Sequence, residues 1–252
     1  MYSIDYLAFD SHLFKYRIGR LSTPLLHLEA IPNILMQARE DKYHLVYIKT
    51  PPSHPLPTNI SLPSDIKLIL ADQQITYRQN LSLTANIDVS VHISRYQKNV
   101  PNKRLYELAL ESGAHSRFKN DPNCVEDEFE RLYNFWIENE VNGINNSIVS
   151  TYYPLNDTLK GFITLSKQAT QTRIGLLSVE QASQGLKIED QLIKYAIYQS
   201  QHWKLPLITA TTQKDNTSIC ECYERCGFSI KNVVNIYHLW LPKMKKPEPK
   251  ES

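Results

Sequence analysis

Leu176-Leu177-Ser178-Val179, then Glu180 to Ser183, then Gln184-Gly185-Leu186-Lys187-Ile188 form a stretch suited to holding an anion. An apolar strand runs into a short turn, and the turn opens a long helix. The first turn of a helix has about four unpaired backbone N–H groups and the positive end of the dipole. A pyrophosphate fits there without a dedicated side chain. Gly185 lets the backbone approach closely, and the Gln184 side chain can donate to a phosphate oxygen. Many α/β folds contain such a turn, so a purely structural role is the alternative reading. A second stretch runs from Asn216 to Gly227-Phe228. Asn216 suits a helix N-cap, and Gly227 suits the left-handed position that ends a helix. Between them Tyr223 shares a face with Ile219 and Cys226. Its phenol, with an ordinary pKa near 10, could protonate a departing thiolate. The alternative is a core tyrosine.

Other chemistries drop out on composition. The cysteines are Cys124, Cys220, Cys222 and Cys226. A zinc site would want C-x-x-C pairs or histidines at set spacing, and on a helix residues 220 and 222 point in different directions. These cysteines read as small apolar residues, with no metal and no disulfide framework implied. There are only 7 glycines, where usual usage would place about 18. Neither G-x-G-x-x-G nor a Walker loop can be written from them, which excludes classical dinucleotide binding and phosphoryl transfer. Net charge is +2, from 28 basic and 26 acidic residues, which argues against a nucleic-acid partner held by charge. No apolar run reaches membrane-spanning length. The N-terminus has acids at Asp5 and Asp10 and no long apolar core, unlike a secretory signal. We therefore expect a cytoplasmic protein with no membrane partner.

Positioning these residues falls to a series of elements read from periodicity. Residues 1–22 alternate loosely and suggest an entering strand. Residues 25–42 have a helical apolar period, with Pro32 early enough to be tolerated. Strands are expected at His44–Lys49, Ile66–Ala71 and Ile87–Ser94, with a proline-rich connection over 50–64. Residues 99–103 read as a linker. A short helix follows from Leu105 to Gly113, then another after Asp121-Pro122. The stripe Phe129, Leu132, Tyr133, Trp136 and Ile137 makes this second helix amphipathic, with Trp136 in the core. Strands then come at Ile148–Tyr152, Lys160–Ser166 and Thr172–Val179, a helix at 187–203, a strand at Leu207–Ala210, a helix at 216–226 and a last strand at Ile236–Leu241. The expected organisation is a small N-terminal α/β domain over 1–98, a second domain over 99–241 and a flexible tail over 242–252.

The strand–turn–helix at 176–188 and the N-x-x-x-x-x-x-Y-E-x-x-G-F run at 216–228 resemble the GNAT superfamily of acyl-CoA N-acyltransferases. The first motif here is Q-G-L-K-I-E, with Lys187 and Glu189 where the superfamily usually has small residues. The resemblance narrows further on. S-G-x-x-S-R-F at 112–118, the L-Y-x-x-W-I helix, T-R-I-G-L-L-S-V at 172–179, the closing Y-H-L-W-L and the opening F-D-S-H-L-F resemble the dTDP-fucosamine acetyltransferase group. That group acetylates the 4-amino group of a nucleotide-linked 4-amino-4,6-dideoxygalactose. The likeness spans most of the chain outside residues 50–85 and the tail.

The resemblance implies a GNAT fold, an α/β (α+β) architecture with a mixed, mostly antiparallel sheet between helices. It implies acetyl-CoA as co-substrate, a nucleotide-linked amino sugar as acceptor, and a place in surface-glycan (lipopolysaccharide) biosynthesis. Leu177 would offer a backbone donor to the oxyanion, and Tyr223 would protonate the thiolate. Leu177, Ser178, Val179, Gln184, Gly185, Leu186, Lys187, Ile188, Asn216 and Tyr223 would hold acetyl-CoA. Arg117 would meet the acceptor's diphosphate and His115 its sugar hydroxyls. Each of the last two is equally readable as a surface or helix-end residue. No HHxxxD-type base is present, so a water relay or a nearby acid would deprotonate the amine. A homodimer is compatible with the sequence. Two other readings stay open: a GNAT enzyme acting on a different amine, such as a protein N-terminus or polyamine, and a non-catalytic acyl-CoA-binding module. A transferase using aminoacyl-tRNA is disfavoured by the near-neutral charge.

Overall fold

The computed structural model describes residues 2–57, 60–154, 158–183 and 185–242. The chain forms two compact units, Met1–Gln73 with Val234–Ser252, and Gln74–Val233. This division falls elsewhere than the expected segments. Residues 74–98 belong with the second unit, and residues 234–241 return to the first. Gln184 and the tail from 243 onward lie outside the described residues.

The elements begin with β1 (Asp5–Tyr6), α1 (Ala8–Phe14), β2 (Ile18–Ser22), α2 (Ile31–Glu40), β3 (Leu45–Thr50), β4 (Lys67–Asn80) and β5 (Ile93–Arg95). Next come α3 (Lys103–Ser112), α4 (Arg117–Asn120), α5 (Glu126–Val141), β6 (Ser147–Tyr152), β7 (Gly161–Lys167) and β8 (Thr172–Val179). The chain continues with α6 (Ile188–His202), β9 (Leu207–Gln213), α7 (Thr217–Arg225) and β10 (Ser229–Trp240).

In the first unit β2 pairs antiparallel with β1 and parallel with β3, and β3 pairs antiparallel with Asn235–Trp240 of β10. Ile34, Leu35 and Ala38 of α2 pack with Val46, Ile48, Tyr237 and Leu239 in one core. Two expectations change here. Ala8–Phe14 is a helix, where the sequence suggests a strand, because Ser11 and Phe14 turn inward at helical spacing and the Ser11 hydroxyl accepts the Ile18 N–H at 2.9 Å. The expected strand at Ile66–Ala71 runs on to Asn80. Its polar second half is held by a ladder to β9, with only Ile75 and Tyr77 turned into the core.

In the second unit residues 74–80 of β4 pair antiparallel with β9, and β9 pairs parallel with β8. β8, β7, β6 and β5 follow, all antiparallel. The sheet is therefore mixed and mostly antiparallel, as expected. Leu105, Leu108 and Ile137 of α3 and α5 bury Val149 and Phe162 on one face. Leu192, Ile193 and Ala196 of α6, with Cys222 and Tyr223 of α7, bury Ile163, Leu165, Ile174 and Ile208 on the other. Neighbouring residues Phe162 and Ile163 thus serve opposite cores, the period-2 alternation of a strand covered on both sides. No helix among the described residues is long and apolar enough to cross a membrane.

Candidate active site

β8 is irregular along both edges. Its pairing with β7 slips by one residue between Ile163 and Leu165. There the Leu176 N–H donates to the Thr164 hydroxyl at 2.8 Å instead of a ladder carbonyl. Glycine permits this: a Cβ on Gly175 would stand 2.5 Å from Thr164 Oγ1. On the other edge the register with β9 runs only from Thr172↔Ile208 to Ile174↔Ala210. Past Ile174, no described pair joins the two strands, although both continue. They splay, and the gap between them is open to a ligand.

A cavity of about 300 Å³ lies at this splay. Gly175, Leu176 and Leu177 line it from β8, and Thr211, Thr212 and Gln213 from β9. Asn216, Ile219 and Tyr223 enter from α7 and Arg117 from α4. Leu177, Asn216, Tyr223 and Arg117, read from the sequence as three separate parts of a site, therefore meet in one cavity. His115 does not line it; its Nδ1 lies 3.7 Å from Asp215. A larger groove of about 720 Å³ runs along α2 in the first unit, with an apolar wall of Leu28, Ile31, Leu35 and Met36. Its charged lining residues among those described are Arg39 and Glu40, and none of the site residues singled out from the sequence lies there, so size alone does not mark the site.

Tyr223 is held by the end of its own helix. The Phe228 N–H donates to the Tyr223 carbonyl and the Gly227 N–H to the Glu224 carbonyl, both at 3.0 Å. Gly227 has φ +89°. This is a Schellman ending, and its usual apolar contact is present, with the Tyr223 and Phe228 rings 5.3 Å apart. Tyr77 packs on Tyr223 at 5.4 Å. Burial, with the neighbouring Cys222 adding to it, holds the Tyr223 phenol well above its ordinary pKa. It therefore keeps its proton at neutral pH. Asn216 occupies the N-cap position as expected but makes no side-chain cap bond; it lines the cavity instead.

Beyond the splay, Ser178 and Val179 are buried against Phe162 and Gly161 of β7 and do not line the cavity. Gly185 has φ +86°, and nothing lies within 4 Å of where its Cβ would be. Lys187, the N-cap of α6, has φ +56° and makes no side-chain cap bond. A left-handed backbone there is the physical reason a small residue would be usual. Leu186 is exposed and Ile188 buried. The first turn of α6 carries two acids, Glu189 and Asp190. Asp190 is neutralised by Arg225, whose Nη2 and Nε reach it at 2.8 and 3.3 Å. Burial opposes ionisation, but the guanidinium holds the Asp190 carboxyl below its ordinary range.

The lining also includes residues that the sequence alone does not single out as ligand contacts, among them Tyr133, Trp136 and Glu140 on α5, and Arg173 on β8. Trp136 is a correction. It shares the apolar stripe of α5, but Leu132 and Ile137 fill the core, while Trp136 stacks edge-on against Tyr133 at 4.9 Å and faces the cavity. Spacing alone cannot divide a wide stripe between core and cavity. All four cysteines are free. Burial pushes the Cys124 and Cys222 thiols up to about 12, which makes them poor nucleophiles.

The description "Acetyltransferase (GNAT) family" matches residues 102–228. The chain belongs to that family. A spore coat polysaccharide biosynthesis protein, SpsD, of Bacillus subtilis (strain 168) is 28% identical over 140 residues, 56% of this chain and 48% of that protein. The chain thus spans about half the length of that relative. A conserved protein of unknown function from Staphylococcus epidermidis has a similar structure, with a TM-score of 0.56 at 13% identity over 93% of this chain and 88% of that one. A GCN5-related N-acetyltransferase from Sphaerobacter thermophilus matches with a TM-score of 0.52 at 11% identity, over 96% of this chain and 78% of that one. At these identities the two structures speak to fold alone. The fold is the α/β GNAT arrangement.

Proposed function

We propose that this chain is an N-acetyltransferase that moves an acetyl group from acetyl-CoA to the 4-amino group of a dTDP-linked 4-amino-4,6-dideoxyhexose. The amine attacks the thioester directly in a ternary complex. The observation that carries this reading is the cavity at the β8–β9 splay, where Leu177 and Tyr223 share a wall with the guanidinium-bearing Arg117 and Arg173. Family membership supports acyl transfer, and likeness to a polysaccharide biosynthesis protein supports a sugar acceptor.

Each residue then has a role its surroundings suit. The cofactor's pyrophosphate meets the first turn of α6, where Gly185 leaves room for it. The thioester carbonyl lies along Gly175–Leu177, and the Leu177 N–H stabilises the oxyanion. Tyr223 gives its proton to the departing thiolate. Arg117 and Arg173 face the acceptor's diphosphate, for which a planar guanidinium is well shaped. Holding both reactants in one cavity removes several kcal/mol of the barrier by itself.

Turnover with a panel of acceptors, read as release of the CoA thiol, tests the reading. We expect the dTDP-linked 4-amino sugar to exceed the same sugar without its nucleotide by about two orders of magnitude in kcat/KM, the scale of one or two charged hydrogen bonds. A polyamine or peptide N-terminus as best acceptor would overturn the sugar assignment. Acetyl-CoA binding with no turnover on any amine would favour the non-catalytic module. The cofactor's position has its own test in Gly185→Val. The branched side chain strains a left-handed backbone and fills the space left for the pyrophosphate. Acetyl-CoA affinity should fall about tenfold by calorimetry, with circular dichroism unchanged. Unchanged affinity would place the cofactor elsewhere.

A further inference from the structure

We infer that the Glu140 carboxylate takes the proton from the acceptor's ammonium group and so turns it into a nucleophile. This rests on the acetyl-transfer reading above and names the base that reading lacks. An amine arrives at neutral pH mostly as ammonium, which has no lone pair to attack with. Among the described residues lining the cavity, Glu140 is the only carboxylate, and there is no histidine or lysine.

Its placement fits the task. Glu140 lies on the last turn of α5, on the same face as Tyr133 and Trp136, and is turned towards β8. Its Oε1 is 3.6 Å from where a Cβ on Gly175 would stand. Gly175 is two residues from Leu177, along the segment proposed to hold the thioester carbonyl. Oε2 is buried and has no hydrogen-bond partner among the described residues. A buried, unanswered acceptor calls for an explanation, and an ammonium ion supplies the missing donor.

The electrostatics agree. Burial pushes the Glu140 carboxyl above the ordinary carboxylate range, against Ser147 on β6, Arg173 on β8 and Thr164 on β7, which pull it down. The other charged or titratable groups on the cavity wall are Arg117 from α4, Tyr133 from α5 and Tyr223 from α7; α3 adds only Ser112. A raised carboxyl is a better proton acceptor near neutrality than an ordinary one.

The protons balance. Glu140 takes one from the ammonium nitrogen, whose freed pair forms the bond to the thioester carbon. The C–S bond breaks, and the thiolate takes the Tyr223 proton. The nitrogen's surplus proton leaves as the intermediate collapses and restores the phenol. Glu140 hands its proton to solvent.

The experiment is the pH profile of kcat/KM for the wild type's best amine, set against Glu140→Gln. An aliphatic amine with a pKa of about 8 is roughly one-tenth neutral at pH 7. The variant can use only that fraction. Its kcat/KM should be about tenfold below wild type at pH 7, about half of wild type at pH 8 and close to wild type at about pH 9, following the neutral fraction of the amine. The wild-type profile should stay level across that range, down to the carboxyl's own pKa. The acetyl-CoA KM should not move, and Glu140→Asp should keep the level profile at reduced kcat. A pH-independent loss would make Glu140 structural and overturn the inference. So would a wild-type profile that itself climbs to the amine's pKa, a measurement that needs no variant. If the best amine proves not to be a nucleotide sugar, the acceptor assignment fails alone and the same criterion applies to that amine. If no amine is acetylated, the acetyl-transfer reading falls and takes the inference with it.

Discussion

Tyr223→Phe is expected to lower kcat by about 10²- to 10⁴-fold, the range for loss of a positioned proton donor. The KM for acetyl-CoA should change little. The substitution removes one oxygen and keeps the ring, so its packing on Tyr77 and Phe228 survives. The Schellman hydrogen bonds are made by backbone and survive as well. A thermal melt close to wild type should accompany the loss. Burial that raises the phenol's pKa also raises that of a thiolate leaving into the same low-dielectric cavity, so the donor and its acceptor stay matched. The loss should therefore grow with the basicity of the leaving thiolate and shrink for activated thioesters. Turnover near wild type would return Tyr223 to a packing role.

Arg117→Ala is expected to raise the KM for the acceptor by about ten- to a hundredfold, matching about 1.5–3 kcal/mol for a hydrogen bond to a charged group. The acetyl-CoA KM should stay put. A dTDP-sugar brings negative charge to a protein whose net charge is only +2, so a local guanidinium has to meet it. Arg117 is placed for this by the short α4. Ser116 caps that helix by accepting the Phe118 N–H at 3.3 Å, and the guanidinium lies over the Phe118 ring at 4.3 Å. Arg117→Lys should recover only part of the loss, because an ammonium keeps the charge but not the planar fork. Arg173 shares the cavity, so the double variant should lose more than Arg117→Ala alone. With the nucleotide removed from the acceptor, the KM effect should vanish. If the acceptor KM is unchanged in both single variants, the nucleotide-sugar reading loses its phosphate partner.

Much of the site was legible because its signals are local. An apolar run into a turn and then a helix needs only a few neighbouring residues, and β8 and α6 lie where that pattern puts them. Gly227 and Phe228 end α7 as read, because a left-handed ending depends on one residue's backbone freedom and one contact back to the last turn. The bend at Lys187 is the counter-example. The sequence marks it as a departure from small residues, and the structure shows φ +56° at a residue with a side chain.

What the sequence by itself determined is the order of elements from α3 to β10 apart from the one-turn α4, the strand–turn–helix and the helix carrying Tyr223. These follow from periodicity and from turn residues acting over a few positions. Only the tertiary structure decided which residues of α5 serve the core and which the cavity, since Leu132 and Trp136 share one apolar stripe. It alone extended β4 to Asn80, because a strand with so many polar residues is held by its ladder to β9. It also brought Glu140 to the wall beside Gly175. That needs the β7–β8 slip, the missing Cβ of Gly175 and the last turn of α5 to coincide. Burial of one carboxylate oxygen is set by packing between elements far apart in the chain, and no local pattern encodes it.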